Sequence, residues 1–327
     1  LTTRAVRHKP PLQQLYLGGA SPNYLTDHQL VRLMAIVDEH FEIDDDTDIS
    51  LDANPKRTSP NQLALLRGLG FNRIEFGVRD LDPAVQLAIG RTTSLEMVRD
   101  VFDTARDVGF ETISTDILYG LPCQTRSGIQ RTIDNLLALS PDRIACQAFT
   151  RRAAARAHQS AIDQCSVPSL ADKLALFNTI VKGLADDYEW IGLDSFAKSN
   201  DPLAAAQAEH RLHKTCIGYS HLVPTDIHGL GISAISDLEH VCAQNHLQIG
   251  PWEQAIDVDE FPIRGGIKLS ASYRAQRDAI RSLTCNMEVK DYAPLFDNDE
   301  HAEAAWNKYA QEGLISINAD AMRVTDE

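Results

Sequence analysis

Paired cysteines are missing from this chain. Its six cysteines, Cys123, Cys146, Cys165, Cys216, Cys242 and Cys285, stand far apart, with no C-x-x-C or C-x-x-x-C spacing. A zinc or iron–sulfur site built from one chain needs such spacing, so none is expected from these residues alone. Scattered thiols in a large chain point instead to a reducing, cytoplasmic setting. A basic surplus is missing too: Lys and Arg number 31 against 46 Asp and Glu, for a net charge of −15. Nucleic acid and anionic membranes both select a basic face, so neither is expected as a partner. No apolar run approaches the roughly 18 residues of a membrane span. No targeting segment opens the chain. No G-x-G-x-x-G follows a strand-like run, which argues against a dinucleotide-binding fold. Internal repeats and low-complexity tracts are absent as well.

What is present is a βα rhythm. Strand-like runs end at Gly18–Ser21, Asp52, Arg79, Asp116, Thr150 and Asp194, and helical patterns separate them. Thr26 and Ser59 are placed to cap two of the helices, and Gly70 to stop one. Parallel strands need such crossovers, and their right-handed sense curls the sheet toward a barrel. The expected fold is α/β, a partial (β/α)6 TIM-like barrel. In such a barrel the chemistry gathers at the C-terminal strand ends. After about residue 238 the pattern changes to helices ending in a short hairpin. The expected domains are therefore a barrel over 1–238 and a small, mainly helical, winged-helix-like domain over 239–327.

Several strand ends carry their own signals. "LYLGGASPNYL", residues 15–25, runs an apolar strand into a bare turn, where backbone groups can reach a ligand because no Cβ intervenes. Taken by composition alone it is equally a plain β-turn. Asp116 sits inside the apolar run I-S-T-D-I-L, where a carboxylate is costly unless paired. His210 and His213, three apart in "EHRLH", have a spacing that can share one helix face. The run Asp44-Asp45-Asp46 reads as a solvated loop without the alternation of a calcium site.

Nine pieces in order carry a resemblance: "LGGASPNYL", "ISLDANP", "GFNRIEFGVRDLDPAVQLAIGR", "STDILYGLPCQT", "PDRIACQAF", "WIGLDSFA", "LHKTCIGYS", "TDIHGLGISAIS" and "IRSLTCN". In sequence and spacing they resemble the oxygen-independent coproporphyrinogen III oxidases of the radical S-adenosylmethionine superfamily. The resemblance implies oxidative decarboxylation of two propionates of coproporphyrinogen III to the vinyl groups of protoporphyrinogen IX. It implies two bound S-adenosylmethionine molecules, a [4Fe–4S] cluster, an electron donor and a porphyrinogen substrate. The 5′-deoxyadenosyl radical of that chemistry takes a hydrogen from the propionate β-carbon. A monomer is expected.

The family's cluster loop, C-x-x-x-C-x-x-C, has no counterpart here. The chain is therefore expected to be a fragment whose cluster ligands lie upstream, and inactive by itself. Carried over residue by residue, the resemblance assigns cofactor contacts to Gly19, Ala20 and Ser21 (family G-G-G-T-P), Asp52 (family Glu), Arg79 (family Gln), Arg91, Asp116, Thr150 and Ile235. It assigns no catalytic residue and no metal ligand. "FTRRA" replaces a family stretch close to N-Y-A-H-L-P, so Arg151 and Arg152 are candidates to grip propionates, or else form a solvated turn. Ser195 stands for a family His and Ile217 for a Gln. A guanidinium at position 79 near a cationic cofactor needs a partner, and Asp52 is the expected one. Three readings stay open: an enzyme of haem biosynthesis, a paralogue with changed substrate or reaction, and a haem-binding carrier.

Overall fold

The structure is a computed structural model that describes residues 9–151, 159, 162, 166–222, 226–296 and 300–325. Its described residues form two compact units. One holds those of 8–190 and 194–204, the other those of 191–193 and 205–327. Residue 238, where the sequence pattern changes, lies inside the second unit.

In the first unit strands and helices alternate: β1 (Gln14–Leu17), α1 (Asp27–His40), β2 (Asp48–Ala53), α2 (Pro60–Gly68), β3 (Arg73–Arg79), α3 (Pro83–Ala88), α4 (Leu95–Asp107), β4 (Thr112–Tyr119), α5 (Arg126–Leu139), β5 (Arg143–Ala148) and α6 (Leu170–Leu184). Local chemistry sets the boundaries. Thr26 and Gln29 close a reciprocal capping box at the start of α1. Ser59, Asp82, Ser94 and Thr125 each accept a backbone N–H at the start of a helix. Gly70, at a φ of 95°, turns the chain out of α2 toward β3.

Strands β1 to β5 pair in parallel and in sequence order. Their side chains alternate between two unlike faces. Ile49, Leu51, Ile74, Phe76, Val78, Ile113, Ile117 and Ile144 share one core with Leu30, Leu63, Phe102 and Ile133 of the helices. The Phe76 and Phe102 rings lie 5.2 Å apart in that core. The opposite face carries Tyr16, Ser50, Asp52, Arg73, Glu75, Gly77, Arg79, Ser114 and Asp116, a polar surface that no apolar core needs.

Residues 190–197, expected as one strand, are two. β6 (Glu189–Ile191) and β7 (Ser195–Ala197) are separated by a turn at Gly192, whose φ is 57°. β7 pairs antiparallel with β5, and β6 follows it at the sheet edge. The Asp194 carbonyl accepts from Cys146 N–H at 2.6 Å, which fixes the turn against β5.

Beyond residues 191–193 the second unit resumes within α7 (Pro202–Ala208) and continues with a hairpin of β8 (His213–Thr215) and β9 (Gly218–Ser220). An antiparallel sheet of β10 (Ile235–Asp237), β11 (Val241–Asn245) and β12 (Ile263–Lys268) follows, with α8 (Ile249–Asp257) between its last two strands. Then come α9 (Ala271–Asn286), β13 (Glu288–Val289), α10 (Glu300–Gln311), β14 (Ile315–Ile317) and β15 (Met322–Val324). Ala279, Val289, Ile315 and Met322 form the core of this last part, and β14–β15 is the hairpin expected after its helices. His210 and His213 do not share a helix face: His210 is a left-handed residue after α7 and His213 begins β8. Among the described residues no helix is long and apolar enough to cross a membrane.

Candidate functional site

The turn after β1 is open. Gly18, Gly19 and Ala20 are exposed. Gly19 has a φ of 87°, and no heavy atom lies within 4 Å of where its Cβ would stand. Glycine takes that conformation without the penalty other residues incur. Ser21 precedes a short helical turn, Pro22–Tyr24, but its hydroxyl caps nothing. The turn itself is held from beneath by Asn23, which is buried. Its amide nitrogen donates to Asn54 O at 3.1 Å and Thr58 Oγ1 at 3.2 Å, and its amide oxygen accepts from Asn54 N–H at 3.1 Å. The strand-end turns of β1 and β2 are thus joined by one side chain.

Tyr16 lies over the other side of the turn. Its hydroxyl donates to Asp52 Oδ2 at 2.7 Å. Its ring passes so close to Gly18 that a Cβ there would fall 2.2 Å from the ring. Burial, then the neighbouring Asp52 carboxylate, pushes the Tyr16 phenol far above its ordinary range. Burial also raises Asp52, against the Tyr16 hydrogen bond and the Arg79 charge, which lower it.

Glu75 is the register partner of Asp52 on β3. It is partly buried, and among the described residues no side chain donates to it. Its carboxyl is pushed up to about 7, first by burial and then by Asp52, while Arg79 and Arg73 pull the other way. Glu75 therefore changes charge near neutral pH.

Arg79 ends β3 in the left-handed region, at a φ of 69°, a strained position for a residue with a Cβ. The register of β3 against β4 slips between Gly77 and Arg79. The guanidinium turns back over Gly77 and pairs with Asp116 Oδ2. This corrects the pairing expected from the sequence. Asp52 accepts from Tyr16, and Arg79 is bonded to Asp116, its diagonal neighbour on β4. Asp116 Oδ1 is buried and, among the described residues, accepts no hydrogen bond.

Arg91 donates to Gly77 O at 2.9 Å. Burial and then the charge of Arg79 lower its proton affinity. Gln86 holds the loop that carries it: Gln86 Nε2 donates to Asp80 O and Thr93 O, and Gln86 O accepts from Arg91 N–H at 2.8 Å. Asp80, fully buried, accepts from Gln124 and Thr132 and so fixes the exit of β3 against α5.

The first unit thus holds the turn at Gly19, Ala20 and Ser21 together with Asp52, Arg79 and Arg91 at or after C-terminal strand ends, and Asp116, which the sequence placed at a strand end but which lies within β4, three residues before its last residue. Thr150 lies just beyond β5 and is exposed. Arg151 Nε donates to Ile162 O at 3.2 Å, and Arg152 lies outside the described residues. Ser195 registers with Ala145 on β5. Ile235 is the first residue of β10 in the second unit and is exposed.

Tyr16, Glu75, Asn23 and Gln86 are absent from the residues singled out in the sequence. Glu75 had a readable signal: in "RIEFGVR" it alternates with Ile74, Phe76 and Val78, and so belongs to the polar face. Asn23 and Gln86 have no such signal, because their partners are backbone groups distant in sequence.

These features suit S-adenosylmethionine. An open turn offers backbone groups, the Ser21 hydroxyl is uncommitted as a cap, and a buried carboxylate oxygen lacks a donor among the described residues. An iron–sulfur cluster is different. Among the described residues no group of three or more His, Cys, Asp or Glu is placed to hold a metal, so these residues do not fit one.

The radical SAM superfamily model matches residues 2–136. An oxygen-independent coproporphyrinogen III oxidase of Synechocystis sp. is 33% identical, over 99% of this chain and 72% of its own length. That of Escherichia coli is 32% identical, over 97% of this chain and 73% of its own length. A solved structure of the Escherichia coli coproporphyrinogen III oxidase, described as a radical SAM enzyme, superimposes with a TM-score of 0.89 at 33% identity. That match covers 96% of this chain and 74% of the other.

Proposed function

The chain belongs to the oxygen-independent coproporphyrinogen III oxidase family of the radical SAM superfamily, and from that premise we propose that it is the core of an oxidoreductase of haem biosynthesis. Its reaction is the oxidative decarboxylation of coproporphyrinogen III propionates to vinyl groups. The observation that carries the reading is Asp116: a buried carboxylate with one oxygen unmet among the described residues, within β4 of the sheet whose first strand runs into the bare Gly18–Ser21 turn.

S-adenosylmethionine, when bound, supplies the radical that starts such a reaction. The chain's own residues bind and orient. The Gly19–Ala20 backbone and the Ser21 hydroxyl meet the polar groups of the amino-acid part. Asp52, steadied by Tyr16, offers negative charge to an ammonium. Arg91 suits a carboxylate, which a guanidinium fork meets with two parallel hydrogen bonds. Thr150 extends the rim on the substrate side. The family's second S-adenosylmethionine, an external electron donor, a monomeric state and a cytoplasmic setting belong to the same proposal.

One observation favours a second reading, a paralogue with altered chemistry. Arg79 already occupies one oxygen of Asp116, so part of the cofactor contact is taken from within. The test uses the complete protein with its cluster reduced, under anaerobic conditions, with S-adenosylmethionine and coproporphyrinogen III. Chromatography of the oxidised products should reveal protoporphyrin IX. Cofactor cleavage without porphyrin turnover would favour the paralogue instead.

A further inference from the structure

Asp116 is a carboxylate with two different oxygens. Arg79 bonds Oδ2, while Oδ1 is buried and no described residue donates to it. The Asp116 side chain is only 7% exposed and that of Arg79 33%. Gly77, between them, has no side chain. A Cβ there would lie 3.8 Å from Arg79 Nη2 and 3.8 Å from Asp116 Oδ1. The bare glycine therefore leaves a small recess, with a guanidinium on one side and an unmet oxygen on the other. Arg91 bonds the Gly77 carbonyl at 2.9 Å, and Arg79 is near enough to depress its proton affinity. Arg79 thus stands between the Asp116 carboxylate, which it bonds, and a second guanidinium, that of Arg91.

The charge of Asp116 is already answered, but its hydrogen-bonding capacity is not. A ligand donor reaching Oδ1 meets the field of Arg79 across the same carboxylate. A hydroxyl tolerates that field, whereas a cationic group is repelled by it. Asp52 and Glu75, on β2 and β3, supply the negative charge that a cation would seek.

We propose that Arg79 determines specificity at this corner of the site: by holding Oδ2 it reserves Asp116 Oδ1 for an uncharged donor, such as a ribose hydroxyl of a nucleoside, and turns a cationic group away. This rests on the reading of the site as one for S-adenosylmethionine.

Calorimetric titration of the complete protein with S-adenosylmethionine and S-adenosylhomocysteine tests it. The second probe lacks a methyl group and with it the positive charge on sulfur. Arg79→Gln unmasks Asp116 and should shift the affinity ratio toward S-adenosylmethionine by about tenfold. Asp116→Asn unmasks Arg79 and should shift the ratio the opposite way. Arg79→Lys keeps the charge and should keep the wild-type ratio. A role limited to fold stability would move both affinities together. If Arg79→Gln does not fold, the Asp116→Asn ratio decides. Binding of both probes with a ratio unmoved by the variants overturns this proposal alone. Binding of neither probe to the wild type overturns it together with the cofactor reading.

Discussion

The Tyr16 hydroxyl donates to Asp52 Oδ2 at 2.7 Å, and its ring occupies the space that any side chain at Gly18 would need. One aromatic residue therefore ties the exposed turn after β1 to the carboxylates on the polar face of the sheet.

That contact makes Gly18 a sensitive position. Gly18→Ala should displace the Tyr16 ring and destabilise the fold by about 1–3 kcal/mol, the usual cost of overpacking. In a Tyr16→Ala background the same change should cost little, because the colliding ring is gone. Urea midpoints of the four proteins form the double-mutant cycle. Equal costs in both backgrounds would show that the contact is not made.

Glu75 gives a pH signature. Its carboxyl titrates near 4.5 in the unfolded chain and at about 7 in the fold. Between those values the folded protein binds more protons, so stability falls as pH rises, and the penalty is complete above pH 7. With solvent screening it amounts to about 1–3 kcal/mol. Glu75→Gln should therefore match the wild type at pH 4.5 and exceed it by this amount at pH 8. A difference in Tm that does not change with pH would contradict the assignment.

Asn23 should behave as a structural staple. Asn23→Ala leaves the Asn54 N–H without the partner it has at 3.1 Å. The expected loss is about 2 kcal/mol, read from chemical denaturation. Faster amide exchange at Asn54 should accompany it, and unchanged exchange there would count against the staple.

Arg143 and Asp201 form a buried pair, Nε to Oδ2, at 2.7 Å. Arg143→Met takes the guanidinium away from the buried Asp201 carboxylate, whose Oδ1 keeps only polar support such as the Leu203 N–H at 2.8 Å, and should cost about 3 kcal/mol. Replacing both, Arg143→Met with Asp201→Asn, should recover part of that loss. A double variant less stable than the single one would refute the pairing argument.

Much of the fold was legible because its signals are local. The caps at Thr26 and Ser59, the stop at Gly70 and the apolar alternation of β2 and β3 all lie in short windows of sequence. The antiparallel turn-back at β7 was not legible. "WIGLDSFA" reads as one apolar run, and only the left-handed Gly192 and the bond from Cys146 to Asp194 O divide it. At the site, the strand-end residues were readable and one of their pairings was not. Asp52 and Arg79 end neighbouring strands, which made them natural partners. The register slip after Gly77 and the positive φ of Arg79 direct its guanidinium to the neighbouring strand on the other side, to Asp116 of β4. A bulge of that kind arises from the packing of whole strands, and no residue type announces it.

The placement of Tyr16 has a mechanical consequence. A ring wedged against Gly18 and bonded to Asp52 acts as a short lever between backbone and charge. If the turn shifts, the ring must shift with it, and Asp52 loses its donor while Glu75 feels the change in field. Geometry at the surface of this site and protonation in its interior are therefore not independent variables, and a perturbation of either one reaches the other through a single side chain.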